Sequence, residues 1–385
     1  MDNEKNMRNI KINILTISLT ALWLLSSCLK EAADNPPKIP ARTVLYYLAD
    51  DNSSGEEIQE KIKALTAAWN VTGSNHLLVY QDGSEEQAPC LLEIKSGEDG
   101  KGMVSVVEEY GWEEITAYQR FTHVLNDMVH LFPGSDYGLV VFSPASTGWL
   151  PAGSYIRPFS ITDNGSRAFE LADFAKAIPD GQFRFILFES GLMAGAEVAY
   201  ELRDKTDCII ASSAVVISPG FTPLYGRMLP KMYLDTPDLT GIAQDYYEHC
   251  NSLAGNARSA TVSVIRPGGL APLKELLARA ESHVIHWEWV NRRSVQHFDL
   301  RGENYLFYDL EGYVRSIGTP EEVEELKRIL AGAVVYTAAT DSFEPDTEYG
   351  YDIRQHCGLT LYIPISGFDY LNERREKLGL FRTQL

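Results

Sequence analysis

Phe183 to Leu202 reads FRFILFESGLMAGAEVAYEL, and its three parts decide the fold. Phe183–Phe188 is apolar apart from Arg184 and rich in aromatic residues, which marks a buried strand. Glu189-Ser190-Gly191 is a short polar turn. From Leu192 to Arg203 the apolar residues recur with helical spacing. A strand, a tight turn and a helix in direct succession are half of a βαβ unit.

The same unit repeats outward from this stretch. Thr43–Ala49 (TVLYYLA), His76–Gln81 (HLLVYQ), Tyr137–Phe142 (YGLVVF) and Cys208–Ala211 (CIIA) read as further strands. Glu56–Trp69, Ala117–Phe132 and Glu170–Ile178 carry helical periodicity, the second stopped by Pro133-Gly134. Leu91–Ile94 and Val104–Val107 suggest a small hairpin. Alternating strands and helices predict an α/β fold: a three-layer αβα sandwich with a mostly parallel central sheet covered on both faces. After Tyr233 the chain turns more helical, with helix-like periodicity at 241–253, 271–291 and 320–338. A late strand, Leu359–Ile363, ends at Pro364 and is expected to return to the sheet.

The 385 residues hold 34 basic and 53 acidic side chains, a net charge of −19. A surface this acidic excludes nucleic acid as the natural partner, because phosphate recognition needs basic patches.

In an open parallel sheet, ligands sit beyond the carboxyl ends of the strands. Two loops there hold the candidate chemistry: Phe142-Ser143-Pro144-Ala145-Ser146-Thr147-Gly148-Trp149 and Phe188-Glu189-Ser190-Gly191-Leu192-Met193-Ala194. These loops resemble the clostripain family of cysteine peptidases. In that family the first ends an apolar run with Asp-His-Gly-Ser-Gly-Trp, and the second reads Phe-Asp-Ala-Cys-Leu-Met-Ala before Glu-Val-Ala-Tyr-Glu-Leu. Phe188, Leu192, Met193, Ala194 and the run Glu197 to Leu202 fit the second pattern. Tyr47 to Asn52, Gln81-Asp82-Gly83, Asp309 within Phe307 to Leu310, and Cys357 to Pro364 resemble the family's other landmarks, in order. The resemblance implies a caspase-like fold for residues 42–385, with a core over 42–233 and a helix-rich extension over 234–385.

The departures fall on the chemistry. Gly191 stands where the family has its nucleophilic cysteine, and Pro144-Ala145 with one extra residue stand where it has the base histidine. From Leu131 to Glu248 there is no histidine at all. A thiol–imidazole pair works because the imidazole takes the thiol proton and the thiolate attacks the carbonyl. Neither glycine nor proline can take part, so no catalytic residue is expected. The resemblance also implies an acid after the fifth strand in members that cut after basic residues, yet Ile209 to Leu234 contains no Asp or Glu. Glu189, in place of the family's Asp, and Ser190 are the nearest survivors. They are the residues on which the alternative reading, a hydrolase with a rebuilt site, would depend.

Other candidates read more simply as structure. Ser190 is out of phase with the family cysteine and has no histidine in the motif. Ser146 reads as a turn residue. Cys208 opens an apolar strand and reads as a core thiol. His283 and His286 lie three apart on an expected helix but lack a third ligand in the residues that follow, so no metal is expected. His249-Cys250 and His356-Cys357 are adjacent pairs, and neighbours in sequence rarely converge on one ion. Tyr110, Trp112, Trp149, Trp287 and Trp289 read as core or rim packing rather than a sugar or peptide groove. No Cys-x-x-Cys occurs, no cofactor motif is present, and the pairing of Cys90, Cys208, Cys250 and Cys357 stays open.

The amino terminus carries its own signal. Lys5, Arg8 and Lys11 precede an apolar run, Ile12–Leu25, that is short for a membrane span and ends in Leu25-Ser26-Ser27-Cys28. This resembles the bacterial lipobox, which implies that residues 1–27 are a signal peptide and that Cys28 is the lipid attachment site. Residues 28–41, with Pro36, Pro37 and Pro40, form an expected tether. Lys30-Glu31 resembles the export signals of surface lipoproteins in Bacteroides-like bacteria. The expected setting is the outer membrane or cell surface, with the periplasmic face as the alternative. The expected role is a non-catalytic binding or adaptor lipoprotein, with a peptide or protein partner at the sheet ends.

Overall fold

The computed structural model describes residues 42–49, 55–71, 73–82, 88–98, 100–111, 115–143, 148–149, 170–299 and 305–382. The expected signal peptide, Cys28 and the tether lie outside the described residues, as do Pro144, Ala145, Ser146 and Trp112.

The strands are β1 (Thr43–Leu48), β2 (His76–Gln81), β3 (Cys90–Ser96), β4 (Gly102–Glu109), β5 (Tyr137–Phe142), β6 (Phe183–Glu189), β7 (Ile209–Ala211), β8 (Thr261–Ile265), β9 (Tyr308–Asp309), β10 (Val334–Ala339), β11 (Ser342–Phe343), β12 (Tyr351–Asp352) and β13 (Thr360–Leu361). One sheet takes nine of them in the order β10-β8-β7-β6-β5-β1-β2-β3-β4. The five strands read from the sequence form its parallel centre, with β1 between β2 and β5, and β6 between β5 and β7. Antiparallel strands extend both sides. Strands β1 and β5 are buried along their whole length, because helices cover both faces.

In chain order the helices are α1 (Gly55–Ala68), α2 (Ala117–Leu131), α3 (Leu171–Ala177), α4 (Ala196–Glu201), α5 (Tyr225–Met232), α6 (Leu239–Asn251), α7 (Leu273–Glu281), α8 (Leu310–Ile317), α9 (Pro320–Ala333) and α10 (Asp369–Lys377). Ile58 and Leu65 of α1, Met228 of α5 and Ile242 of α6 pack with Val44, Val140 and Leu187 on one face. Phe121 of α2, Phe174 of α3, Val198 of α4 and Leu276 of α7 pack with Leu45, Leu139 and Ile186 on the other. This is the three-layer sandwich that strand–helix alternation predicts.

The structure differs from the sequence reading in the carboxyl-terminal third. Helix α9 stops at Ala333, and Val334–Ala339 is a strand antiparallel to β8. Val-Val-Tyr-Thr prefers a pleated, half-buried surface, and the open edge of β8 offers one. Strand β8 itself, Thr261–Ile265, escapes the sequence reading. The helix expected over 271–291 ends at Glu281, followed by two short 3₁₀ turns. The late strand near 359–363 does not join the large sheet. Thr360–Leu361 pairs with β9, and Thr360 alone bridges to Gly195.

Gly138 of β5 faces Phe185 of β6 across the sheet, and a Cβ there would overlap the fully buried Phe185 ring. Gly138→Ala should therefore destabilise the fold by about 1–3 kcal/mol, the usual cost of overpacking. Urea unfolding checks this, and an unchanged midpoint would show that the ring has room to move.

Candidate functional site

The carboxyl ends of β5 and β6 lie side by side, with Phe142 opposite Glu189. Ser190 fastens them: its hydroxyl accepts from the Ser143 N–H at 3.0 Å and donates to the Val141 carbonyl at 3.4 Å. Its side chain is spent on the backbone, and the residue is 1% exposed. Ser190 is therefore a clamp between strands rather than a free nucleophile. Pro144 and Ala145, read from the sequence as standing at the family's base position, follow directly in sequence but are outside the described residues.

Gly191 is the position the chemistry turns on. A Cβ on it would lie 2.7 Å from the Val215 Cα, 3.1 Å from the Val216 N and 3.3 Å from the Ala214 O. These are backbone atoms, so no side-chain rotation could relieve the contact. The approach is held on both sides. The Leu192 N–H donates to the Ala214 carbonyl at 2.9 Å, and the Ala194 N–H to the Ser212 carbonyl at 3.0 Å. Ala214 N–H in turn donates to Thr261 Oγ1. Residues 192–194 thus run beside the extension of β7, and the helix expected from Leu192 begins only at Ala196. Leu192 adopts φ 61°, a left-handed conformation that costs a non-glycine residue on the order of 1–3 kcal/mol.

Glu189 points to the other face of the sheet, into a fully buried ion pair. Lys61 Nζ of α1 donates to Glu189 Oε2 at 2.7 Å, and both side chains are 1% exposed. Lys61 also reaches Thr222 Oγ1 at 3.0 Å and the Tyr225 hydroxyl at 3.4 Å, and sits 4.3 Å from the centre of the Phe142 ring. The Tyr225 hydroxyl donates to Glu189 Oε2 at 3.0 Å. Sequence reasoning missed Lys61. The available signal was a lysine on the apolar stripe Ile58, Ile62, Leu65, where a charge has no solvent. A cavity of about 120 Å³ opens above the pair, lined by Glu57, Ser143, Gly191, Val215 and Val216.

Below the crevice, on the opposite face, Glu197 of α4 is fully buried and accepts from the Tyr362 N–H at 2.8 Å. Burial pushes its carboxyl up to about 7, against the pull of that hydrogen bond. Trp149 packs edge-on to Tyr362 beside it, as a core residue.

The remaining candidates lie elsewhere. Cys208 is buried at the start of β7, and burial pushes its thiol up to about 11. Cys90, Cys208, Cys250 and Cys357 are all free thiols. His283 meets Glu322 of α9 at 3.3 Å, while His286 packs edge-on to Trp289, so the two do not converge. A serine–histidine contact that the sequence did not reveal joins Ser213 Oγ to His356 Nε2 at 2.9 Å. Ser213 is wholly buried, while His356 is partly exposed and its ring also meets Thr337 Oγ1 of β10 at 3.0 Å, so the pair ties the β7 extension to β10.

The sequence over residues 46–284 matches the clostripain family. The fold is similar to that of an inactive zymogen C11 protease from Parabacteroides distasonis, at 28% identity and a TM-score of 0.78, over 90% of this chain and 99% of that one. It is also similar to a secreted C11 cysteine protease from Bacteroides thetaiotaomicron, at 21% identity and a TM-score of 0.76, over 89% and 98% of the two chains. No curated protein matches.

Gly191→Ala adds one methyl group to a position with no room for it. It should destabilise the protein by about 1–3 kcal/mol through displacement of the 214–216 backbone. Thermal unfolding of the purified variant measures this, and a midpoint at or above the wild-type value would mean that the segment yields freely.

Proposed function

The chain belongs to the clostripain family, and from that membership we propose that it is a non-catalytic binding or adaptor protein, held at the cell envelope by a lipid on Cys28. The observation that carries this reading is the closure over Gly191, where the Val215 backbone fills the volume that a nucleophile's Cβ would need. Two features support it. No histidine lies between Leu131 and Glu248, so a thiol there would lack a base from the neighbouring strand's loop. Ser190 and Glu189, the residues on which a rebuilt site was expected to depend, are each committed to structural partners.

The sheet-end cavity then acts as a recognition surface for a peptide or protein segment, the use to which a crevice at strand ends is suited once the reaction is gone. The envelope assignment rests on the basic start, the apolar run and Leu25-Ser26-Ser27-Cys28. Among the described residues no helix is long and apolar enough to cross a membrane, so a lipid is the proposed attachment.

Purified wild type should release no product from fluorogenic peptides ending in Arg, Lys or other residues, from mildly acidic to mildly alkaline pH. Gly191→Cys should be equally silent, because an unassisted thiol keeps a pKa of about 8.5 or higher. Cleavage by the wild type that survives removal of contaminating proteases would end the non-catalytic reading.

Cys28→Ala should shift the protein from the membrane fraction to the soluble one, or stall its processing. Unchanged membrane retention of that variant would rule out the lipid anchor while leaving the reading of the crevice intact.

A further inference from the structure

A carboxylate at the floor of a pocket is a receptor for a cation, and in this pocket its charge is already countered through one oxygen, Oε2, while Oε1 has no hydrogen-bond partner among the described residues. Glu189 lies under the sheet-end cavity with its side chain 1% exposed, where an ionised carboxylate without a counter-charge would be severely destabilised. The counter-charge comes from within. Lys61 enters from α1, and its ammonium has an acceptor for each of its three protons: Glu189 Oε2, Thr222 Oγ1 and the Tyr225 hydroxyl. The Phe142 ring lies under it at a cation–π distance of 4.3 Å. This is a complete cation seat, with a carboxylate, two hydroxyls and an aromatic face, occupied by a side chain of the same molecule.

We propose that Lys61 is the built-in occupant of a cation-binding seat on Glu189, and that it sets the charge selectivity of the sheet-end pocket by shutting it to basic side chains. This deepens the binding role proposed above and rests on it. A basic group entering from solvent would have to displace a lysine whose ammonium is fully hydrogen-bonded, or lie beside it at a cost in like-charge repulsion. Glu57, partly solvated, lines the same cavity, and the Glu189→Gln variant distinguishes its contribution from that of the seat. Once Lys61 is shortened to alanine, the seat is empty while Glu189, Thr222, Tyr225 and Phe142 stay in place. An incoming ammonium can then take it.

The probes are N-acetyl-lysinamide and its uncharged counterpart N-acetyl-norleucinamide, with binding followed by NMR titration of the full-length mature protein. Wild type should bind the lysine compound no more tightly than the norleucine compound. Lys61→Ala should favour the lysine compound by about tenfold or more, the effect of one recovered charge pair, and Lys61→Ala/Glu189→Gln should lose that preference. A Glu189-dependent lysine preference in the wild type would overturn the proposal, as would a folded Lys61→Ala protein without any preference. If Lys61→Ala does not fold alone, n-propylammonium, which replaces the missing atoms, should restore folding where n-propanol does not; failure of that rescue would also overturn it. A wild type that hydrolyses peptides would defeat the non-catalytic reading without touching these outcomes. A wild type that selects lysine would do the reverse.

Discussion

An ionised carboxylate cannot remain at the end of a central strand without a partner, and the Lys61–Glu189 pair answers that constraint. Taking both groups out of water is costly; the three ammonium protons and Glu189 Oε2 are all used, while Glu189 Oε1 has no hydrogen-bond partner among the described residues. Lys61 must therefore be held, which fixes α1 against the β6 end of the sheet. Tyr225 must reach Glu189, which fixes α5, and Thr222 fixes the turn before it. Two segments distant in sequence, α1 and the stretch from Thr222 into α5, are registered on one carboxylate at the end of β6. The Tyr46 ring packs edge-on to Tyr225 at 5.5 Å, which carries the same registration into β1.

A second constraint acts one residue further along. Gly191 lets the β7 extension come within contact of the β6–α4 turn, and the hydrogen bonds of Leu192 and Ala194 hold it there. Thr261 of β8 supports the extension from behind, accepting the Ala214 N–H, while Thr360 N–H donates to the Ala194 carbonyl from the opposite direction. The carboxyl-terminal third is thus part of the site's walls. Its strands β8 and β10 complete the sheet beyond β7, and its β13 pins the turn that follows Gly191.

The central strands were legible because burial on both faces leaves a strand no polar positions. TVLYYL and YGLVVF carry that signature without ambiguity. Of the outer strands, the β3–β4 hairpin was legible, while β8 and β10 were not. Val334–Ala339 is half exposed and follows α9 with no intervening loop, so its apolar residues prolong the helix pattern in sequence. Thr261–Ile265 is short, and the serine at its centre hides the run. At the site, the glycine at 191 and the lack of a histidine between Leu131 and Glu248 could be read directly. The closure by Val215 could not, because it depends on backbone approach between segments far apart in sequence. Lys61 gave a weak sign, a charge on an apolar stripe, whose meaning required knowing that Glu189 lay opposite.

These constraints together decide what a thiol at position 191 would experience. A working nucleophile needs room, a base, and surroundings that favour the thiolate. Room is denied by the Val215 backbone. The charge beneath the site is already balanced, since Glu189 and Lys61 neutralise one another and leave no net positive field to draw a proton off sulfur. The polar atoms closest to a new Cβ are the Val216 N at 3.1 Å and the Ala214 carbonyl at 3.3 Å, and the carbonyl favours the protonated form of a thiol. This fold already shows what it does to buried thiols: burial pushes both Cys208 and Cys250 up to about 11. A cysteine at 191 would be driven the same way. On the proposed non-catalytic reading, a single substitution at 191 would therefore not supply a thiolate, and a histidine grafted onto the loop after β5 would meet a thiol disfavoured as thiolate by its own surroundings.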